Sequence, residues 1–465
     1  MEFGFVGPAY LGRSTASESE KCINWYLEMG GGSAKSSPTL VPTPGMVLFT
    51  ALAASARGSH VMGGVLYVVA AGRLYSVTTA AVISDLGALD TVTGRVSMAD
   101  NGDQVFIVDG TSGYTYTLST TTYAKVTDAA FPAGTEHCDF IAGFFIVNER
   151  GTGKLWKSAL NDGTSWNALD FKTAEADPDN MIRPFVFNDE IWCFGDFSIE
   201  PFYNSGSADF PFAKRQNAKI DAGTAAPWSV TQMDNSVFFL GQSHRGEKCI
   251  FRTQGYQKVR ISNHAIEFAI DSYATISDAF GFAYVEEGHS FYVLTFPTAG
   301  VTWVYDGSIS DPRFAWHQRS SNGGRWLANT YSYFNGSHYV GDYNSANLLK
   351  MTHAAFDENG IAIRRVRSSP HVHSDRERLS FNSLEIVFKM GVGTQTGQGV
   401  DPQAMLRISK DGGKTWGDER WQPLGKAGEY LTRAKWTRLG MARDWVFEVS
   451  ITDPVDAEII SATLK

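Results

Sequence analysis

The most specific local motif in this 465-residue chain is Ser409-Lys410-Asp411-Gly412-Gly413-Lys414-Thr415-Trp416, which has the Asp-box form Ser-x-Asp-x-Gly-x-Thr-Trp. In such a string the Asp carboxylate accepts backbone N–H groups across a hairpin turn. Glycine supplies a positive φ and the Trp ring packs beneath. Ser409, Asp411, Gly413, Thr415 and Trp416 are therefore expected to build a turn and not to act on a substrate. A second cluster, Arg364-Arg365-Val366-Arg367 followed by His371, His373, Arg376 and Arg378, is the most basic part of the chain. Gathered guanidinium groups suit an acidic protein face or DNA phosphates. The expected use is a protein interface, with these side chains near the surface; a solvated face, moderated by Asp375 and Glu377, is the plain alternative.

Other candidates fall short of chemistry. His371 and His373 would share one face of a strand, but a metal needs at least a third ligand and none is identifiable nearby. The remaining histidines are scattered, so no Ser/His/Asp triad can be picked out. Gly151-Thr152-Gly153-Lys154 lacks the upstream Gly and the following Ser/Thr of a phosphate loop. Glu286-Glu287 beside Gly288 reads as a hairpin tip, and Asn335-Gly336-Ser337 as a turn. No catalytic residue, metal or cofactor is expected, and the chain is read as a non-enzyme.

The elements that must position these groups are short strands. From about residue 60 a module recurs: an apolar strand, a turn, a second strand with an aromatic near its start, then a third. Val65-Leu66-Tyr67-Val68-Val69, Gln104-Val105-Phe106-Ile107-Val108 and Phe144-Phe145-Ile146-Val147 open three clear copies. Looser copies centre on Ile191-Trp192-Cys193-Phe194, Val237-Phe238-Phe239-Leu240, Phe291-Tyr292-Val293-Leu294 and His338-Tyr339-Val340-Gly341. A period of roughly 40–50 residues is that of β-propeller blades. Stacking small sheets around a ring covers their apolar faces and shortens their edges. Six or seven blades are expected over 46–358. Residues 359–465, with the alternating Leu384–Phe388 and Trp445–Val449, read as a β-sandwich-like platform domain on which residues 1–45 pack. The fold class is all-β.

Composition agrees. Apolar residues make up 43% and charged ones 19%, with 46 Gly and 16 Pro, enough for a large core joined by tight turns. The net charge of −9 argues against gripping duplex DNA. It divides unevenly, −12 over residues 1–360 and +3 over 361–465. Cys22, Cys138, Cys193 and Cys249 show no framework or zinc spacing and are expected free. No secretory signal is visible at Met1–Gly7, and the nearly apolar run Val61–Gly72 is too short to span a bilayer. A soluble protein made in a reducing cytosol is expected.

Three stretches carry a resemblance. Gly12-Arg13-Ser14 through Cys22-Ile23-Asn24-Trp25-Tyr26-Leu27-Glu28, then Leu40-Val41-Pro42-Thr43-Pro44-Gly45-Met46, resembles the opening of the packaged-DNA-stabilisation, or tail accessory, proteins of short-tailed bacteriophages. Leu27 stands where that family usually has proline. Gly94-Arg95-Val96-Ser97-Met98-Ala99 is similar to a string inside an early blade. The closing stretch is the most specific, from the Asp box through Gly425–Tyr430, Trp436–Gly440 and Ala442–Glu448 to Asp453-Pro454. The resemblance implies a virion tail-nozzle protein, a homo-hexamer below the head-to-tail adaptor ring. Such a ring extends the DNA channel, retains packaged genomic DNA without reading its sequence, and carries tail fibres, tailspikes or a plug. It would be made in the host bacterial cytoplasm. The acidic balance is compatible, since an acidic lumen repels phosphates. Two rival readings remain: a glycan-directed propeller (a lectin, or a sialidase-like hydrolase, since Asp boxes occur in sialidases) and a protein-interaction propeller.

Overall fold

The structure is a computed structural model that describes residues 3–30, 38–174, 179–375 and 377–465. Among these, seven antiparallel sheets follow one another as blades over 56–88, 97–125, 138–173, 181–214, 223–260, 280–321 and 328–352. Their second strands, from Val65–Ala70 to Ser337–Asp342, are the apolar runs that carry the repeat in sequence. Each is covered on both faces by neighbouring blades, so it reads as a continuous apolar run and not as an alternation. Val68, Val105, Phe145, Ile191, Phe239, Val293 and Val340 are all fully buried. Of the six or seven blades expected, seven form.

The seventh blade is completed from the other end of the chain. Gly45–Ala51 supplies its outer strand, antiparallel to Asn347–Thr352, with one register shift between Leu348 and Leu349. Leu66 and Val77 of the first blade then pack with Phe334 and Leu348 of the seventh, closing the ring. A closed ring leaves no long sheet edge for stray pairing.

Residues 365–464 form a two-sheet sandwich. One sheet orders Arg365–Ser368, Asp444–Ile451, Gln403–Ser409 and Arg420–Pro423. The facing sheet orders Trp25–Glu28, Thr39–Pro42, Ile459–Leu464, Leu379–Phe388 and Ala434–Ala442. Trp25, Leu384, Leu406, Trp436, Trp445, Phe447 and Ile459 fill the space between. The sandwich is therefore built from both ends of the chain.

Propeller and sandwich share hydrogen bonds. Cys22–Ile23 pairs parallel with the sixth blade at Ile23↔Gln318, and antiparallel with Arg365–Ser368 at Cys22↔Arg367 and Ile23↔Val366. One sheet thus runs from the sixth blade into the sandwich without a break.

Candidate assembly surfaces

Asn24 sits at this junction in the left-handed region, with φ 58°. Its side-chain amide donates to Ser320 O at 2.9 Å and Arg364 O at 2.8 Å, while its Oδ1 accepts from Ser320 N at 2.9 Å. Asparagine tolerates that backbone conformation better than most residues, which suits it to both tasks. The two residues after it then point opposite ways. Trp25 enters the sandwich core and donates from Nε1 to Ala457 O at 2.9 Å, whereas Tyr26 packs edge-on against His289 and Phe291 of the propeller.

The basic cluster is split, and this corrects the expectation that its side chains lie near the surface. Arg364 and Arg378 are exposed, while Arg376 lies outside the described residues. Arg365 and Arg367 are each 0% exposed. Arg367 donates to Phe5 O at 2.6 Å, Pro8 O at 3.0 Å and Lys21 O at 3.4 Å. Arg365 reaches Phe356 O at 3.3 Å and Asp453 O at 3.5 Å. Burial pushes both guanidinium pKa values down, that of Arg365 to about 10. The N-terminal segment meets Arg367, while Arg365 is met by the carbonyls of Phe356 and Asp453, so both cations are partnered by main-chain oxygens. Such partners carry no formal charge and leave no mark in composition. Arg365 and Arg367 therefore hold the fold and cannot touch a partner directly.

The Asp-box residues form a hydrogen-bonded turn. Asp411 Oδ1 accepts from Lys414 N at 3.1 Å and Thr415 N at 2.9 Å, and its Oδ2 accepts from the Thr415 hydroxyl at 2.6 Å. Ser409 Oγ accepts from Gly413 N at 2.8 Å. Gly412 and Gly413 have φ of 71° and 84°, and a Cβ on Gly412 would lie 2.6 Å from an Asp444 carboxylate oxygen. Trp416 is half-buried, with the Arg407 guanidinium over its ring at 5.4 Å. The hydrogen bond from the Thr415 hydroxyl is the main cause that holds the Asp411 carboxyl at about 2. His371 is oriented by Asp444 Oδ1 at 2.7 Å and Thr15 O at 2.9 Å, and His373 is exposed. Among the described residues no group of three His, Cys, Asp or Glu is placed to hold a metal ion.

The propeller axis is filled, a feature that sequence reasoning missed. Most blades contribute a residue at or just before the inner strand. Arg95 donates to Asn329 O at 2.7 Å and lies over the Phe280 ring at 3.5 Å and near Trp228 at 6.0 Å. Trp228 also meets the buried His137 ring at 4.3 Å, Arg183 donates to Pro227 O at 2.6 Å, and Asn329 donates to Ala56 O at 2.8 Å. Contacts between the second blade and the fifth and sixth cross the ring and close it. The only visible signal in sequence was Arg95, inside the family-like string.

A cleft of about 840 Å³ opens at hairpin tips of the fifth, sixth and seventh blades. Glu286 and Glu287 lie at the tip of the sixth-blade hairpin, where Glu287 and Gly288 have φ of 50° and 87°. His353 faces them at 3.4 and 3.7 Å. The Glu286 carboxylate beside it raises the His353 pKa, so the three form an ion-paired group. Elsewhere a sandwich loop carries two strongly exposed apolar side chains, Tyr430 at 72% and Leu431 at 94%.

The described cysteines are all free and buried, in separate strands. No helix among the described residues is long and apolar enough to cross a membrane.

Two family models match the chain in succession: bacteriophage P22 Gp10, beta-propeller, over residues 27–355, and bacteriophage P22 Gp10, beta-sandwich, over residues 364–465. Among curated proteins none matches this chain in sequence. Among solved structures, it is similar to the extracellular domain of the one-component system BT4673 from B. thetaiotaomicron, at 10% identity and a TM-score of 0.44. That match covers 92% of this chain but only 62% of that protein. It is also similar to BamB from Moraxella catarrhalis, at 10% identity and TM-score 0.41, over 66% of this chain and 100% of that one. The Neurospora crassa Pan2 WD40 domain matches at 8% identity and TM-score 0.43, over 66% and 95%. The two family models span the ring and the sandwich in order, and the chain belongs to the bacteriophage P22 Gp10 family.

Proposed function

We propose that the chain is a non-enzymatic structural part of a bacteriophage tail, a nozzle protein that assembles as a hexameric ring beneath the head-to-tail adaptor. In that position it would extend the DNA channel, help retain the packaged genome, and offer attachment to fibres, tailspikes or a plug. The observation that carries this reading is the match of both family parts, in order, on a chain whose two parts share one continuous sheet. A rigid two-part body suits a component that must transmit position from one ring to the next.

The filled axis bears on the route of DNA. With Arg95, Trp228, His137 and Phe280 meeting across the ring, one copy offers no bore for a duplex. A conduit would therefore run between copies. Contact with the adaptor would fall to exposed groups, and among the described arginines of the basic cluster Arg364 and Arg378 are exposed. Guanidinium groups at such a rim would meet carboxylates and steer docking.

Purified protein mixed with adaptor rings and imaged in negative stain tests the reading. Six-fold rings stacked on the adaptor are expected. Monomeric discs that ignore the adaptor would overturn it, as would hydrolysis of a glycan substrate. Arg364→Glu with Arg378→Glu should weaken co-sedimentation with the adaptor without loss of folding.

A further inference from the structure

The cleft at the hairpin tips has a chemistry that tail assembly does not use. Phe282, Tyr331 and His338 stack in a column, with ring centroids 5.0 and 5.9 Å apart and planes at 7° and 23°. Tyr331 also hydrogen-bonds its hydroxyl to His338 Nδ1 at 3.0 Å. Tyr284 packs edge-on against the same imidazole at 5.6 Å. Beside this column Tyr333 is 59% exposed, with its ring 5.2 Å from that of His338. Tyr333 thus lines the cleft beside a packed aromatic column.

The polar groups around it are of mixed kind. Glu286, Glu287 and Asp234 line the cleft together with Lys350, His353, Gln232 and Ser337. Glu286 is nearly covered, with a side chain 12% exposed, and its Oε2 has no hydrogen-bond partner among the described residues. Glu287, at 59% exposure, reaches into solvent. Three carboxylates face one lysine and one imidazole, so the wall is modestly negative while rich in both donors and acceptors. An anion would meet the carboxylates, and a cation would meet Lys350 and His353. A neutral ligand with many hydroxyl groups can satisfy both kinds, because each hydroxyl donates and accepts. Its C–H face, with slightly positive hydrogens, suits the negative face of an aromatic ring.

We propose that this cleft between the sixth and seventh blades binds a neutral saccharide, with Tyr333 as the stacking platform and Glu286 and Glu287 as hydroxyl acceptors. The binding is independent of ring assembly, so the proposal stands or falls apart from the nozzle reading.

Three probes test it by calorimetry and saturation-transfer NMR on the full chain: maltohexaose, chitotetraose and the polysaccharide released by mild acid from Gram-negative lipopolysaccharide. At least one should bind, with transfer strongest at ring protons of the sugar. Tyr333→Ala should lower that affinity about tenfold. Glu287→Gln, an exposed change that keeps the size, should lower it several-fold and guards against a folding artefact. Tyr430→Ala, an exposed aromatic in the distant sandwich loop, should leave it unchanged. Absence of binding to all three probes would overturn the proposal, as would equal binding by wild type and both cleft variants. Binding of tetra-arginine peptide with loss in Glu287→Gln, and no sugar binding, would assign the cleft to a cationic partner instead.

Discussion

Asn24 and Ser320 exchange two hydrogen bonds of 2.9 Å, one in each direction, so that an asparagine side chain takes the place of a strand neighbour for a residue 296 positions away. A third bond, to Arg364 O, ties the same amide to the sandwich. Substitution to Ala removes all three and leaves an L-residue at positive φ without the local bonds that excuse it. The expected loss is about 2–4 kcal/mol. Urea unfolding should also change from one transition to two, as ring and sandwich come apart. A variant that unfolds at the wild-type midpoint would refute this account of the junction.

Arg364 and Arg367 lie three residues apart, yet opposite outcomes are expected from charge reversal. Arg364→Glu is exposed and should change stability by no more than about 0.5 kcal/mol. Arg367→Glu would bury a carboxylate among the carbonyls of Phe5, Pro8 and Lys21, which can only repel it. A penalty of about 3–5 kcal/mol or outright failure to fold follows. Soluble yield and urea midpoints of the two variants check the contrast.

This pair also shows where sequence reasoning stops. The repeat was legible because blade strands buried on both faces must be apolar throughout, and Val68 or Val293 can serve no other purpose. The Asp box was legible because its bonds run between residues at most four apart. Arg367 was not, because its partners are main-chain atoms more than 340 residues away, which any side chain could have carried. The cleft escaped for a like reason. Glu286 and His353 come from different blades, and only the closed ring brings them together. The filled axis likewise needs several blades at once.

Asp411→Ala should destabilise the sandwich by about 1 kcal/mol, the modest figure reflecting the exposure of the carboxylate. Its pH dependence has a definite sign. The folded pKa, about 2, lies below the ordinary 3.8, so the contribution is present above pH 4 and fades as pH falls towards 2. Wild-type and variant melting temperatures should therefore differ at pH 5 and converge near pH 2. A constant gap across that range would show that the carboxylate charge plays no part.

Unfolded, unreduced protein should yield four titratable thiols, since Cys22, Cys138, Cys193 and Cys249 are free. Native protein should react slowly. Burial pushes the thiols of Cys22 and Cys249 up to about 11 and that of Cys138 to about 12, leaving little thiolate at neutral pH. Rapid labelling of the native state would contradict this.

Glu358 gives the opposite pH sign. It sits at the outer edge of the seventh blade, paired with Met46, and is only 2% exposed. Burial raises its pKa to about 7, partly offset by Ser321, Arg319 and Trp326. Between the ordinary value of 4.5 and that raised value, the folded chain holds a proton that the unfolded chain has released. Stability must then fall as pH climbs through this window and level off above 7. Glu358→Gln keeps the shape and hydrogen-bonding capacity of the neutral acid while removing the titration. It should match wild type at pH 4.5 and exceed it at pH 8, by on the order of 2 kcal/mol. Urea midpoints of both proteins at half-unit steps from pH 4.5 to 8 decide the matter. A difference that stays flat, or that grows towards acid, would show that Glu358 is ionised within the fold and held by Arg319.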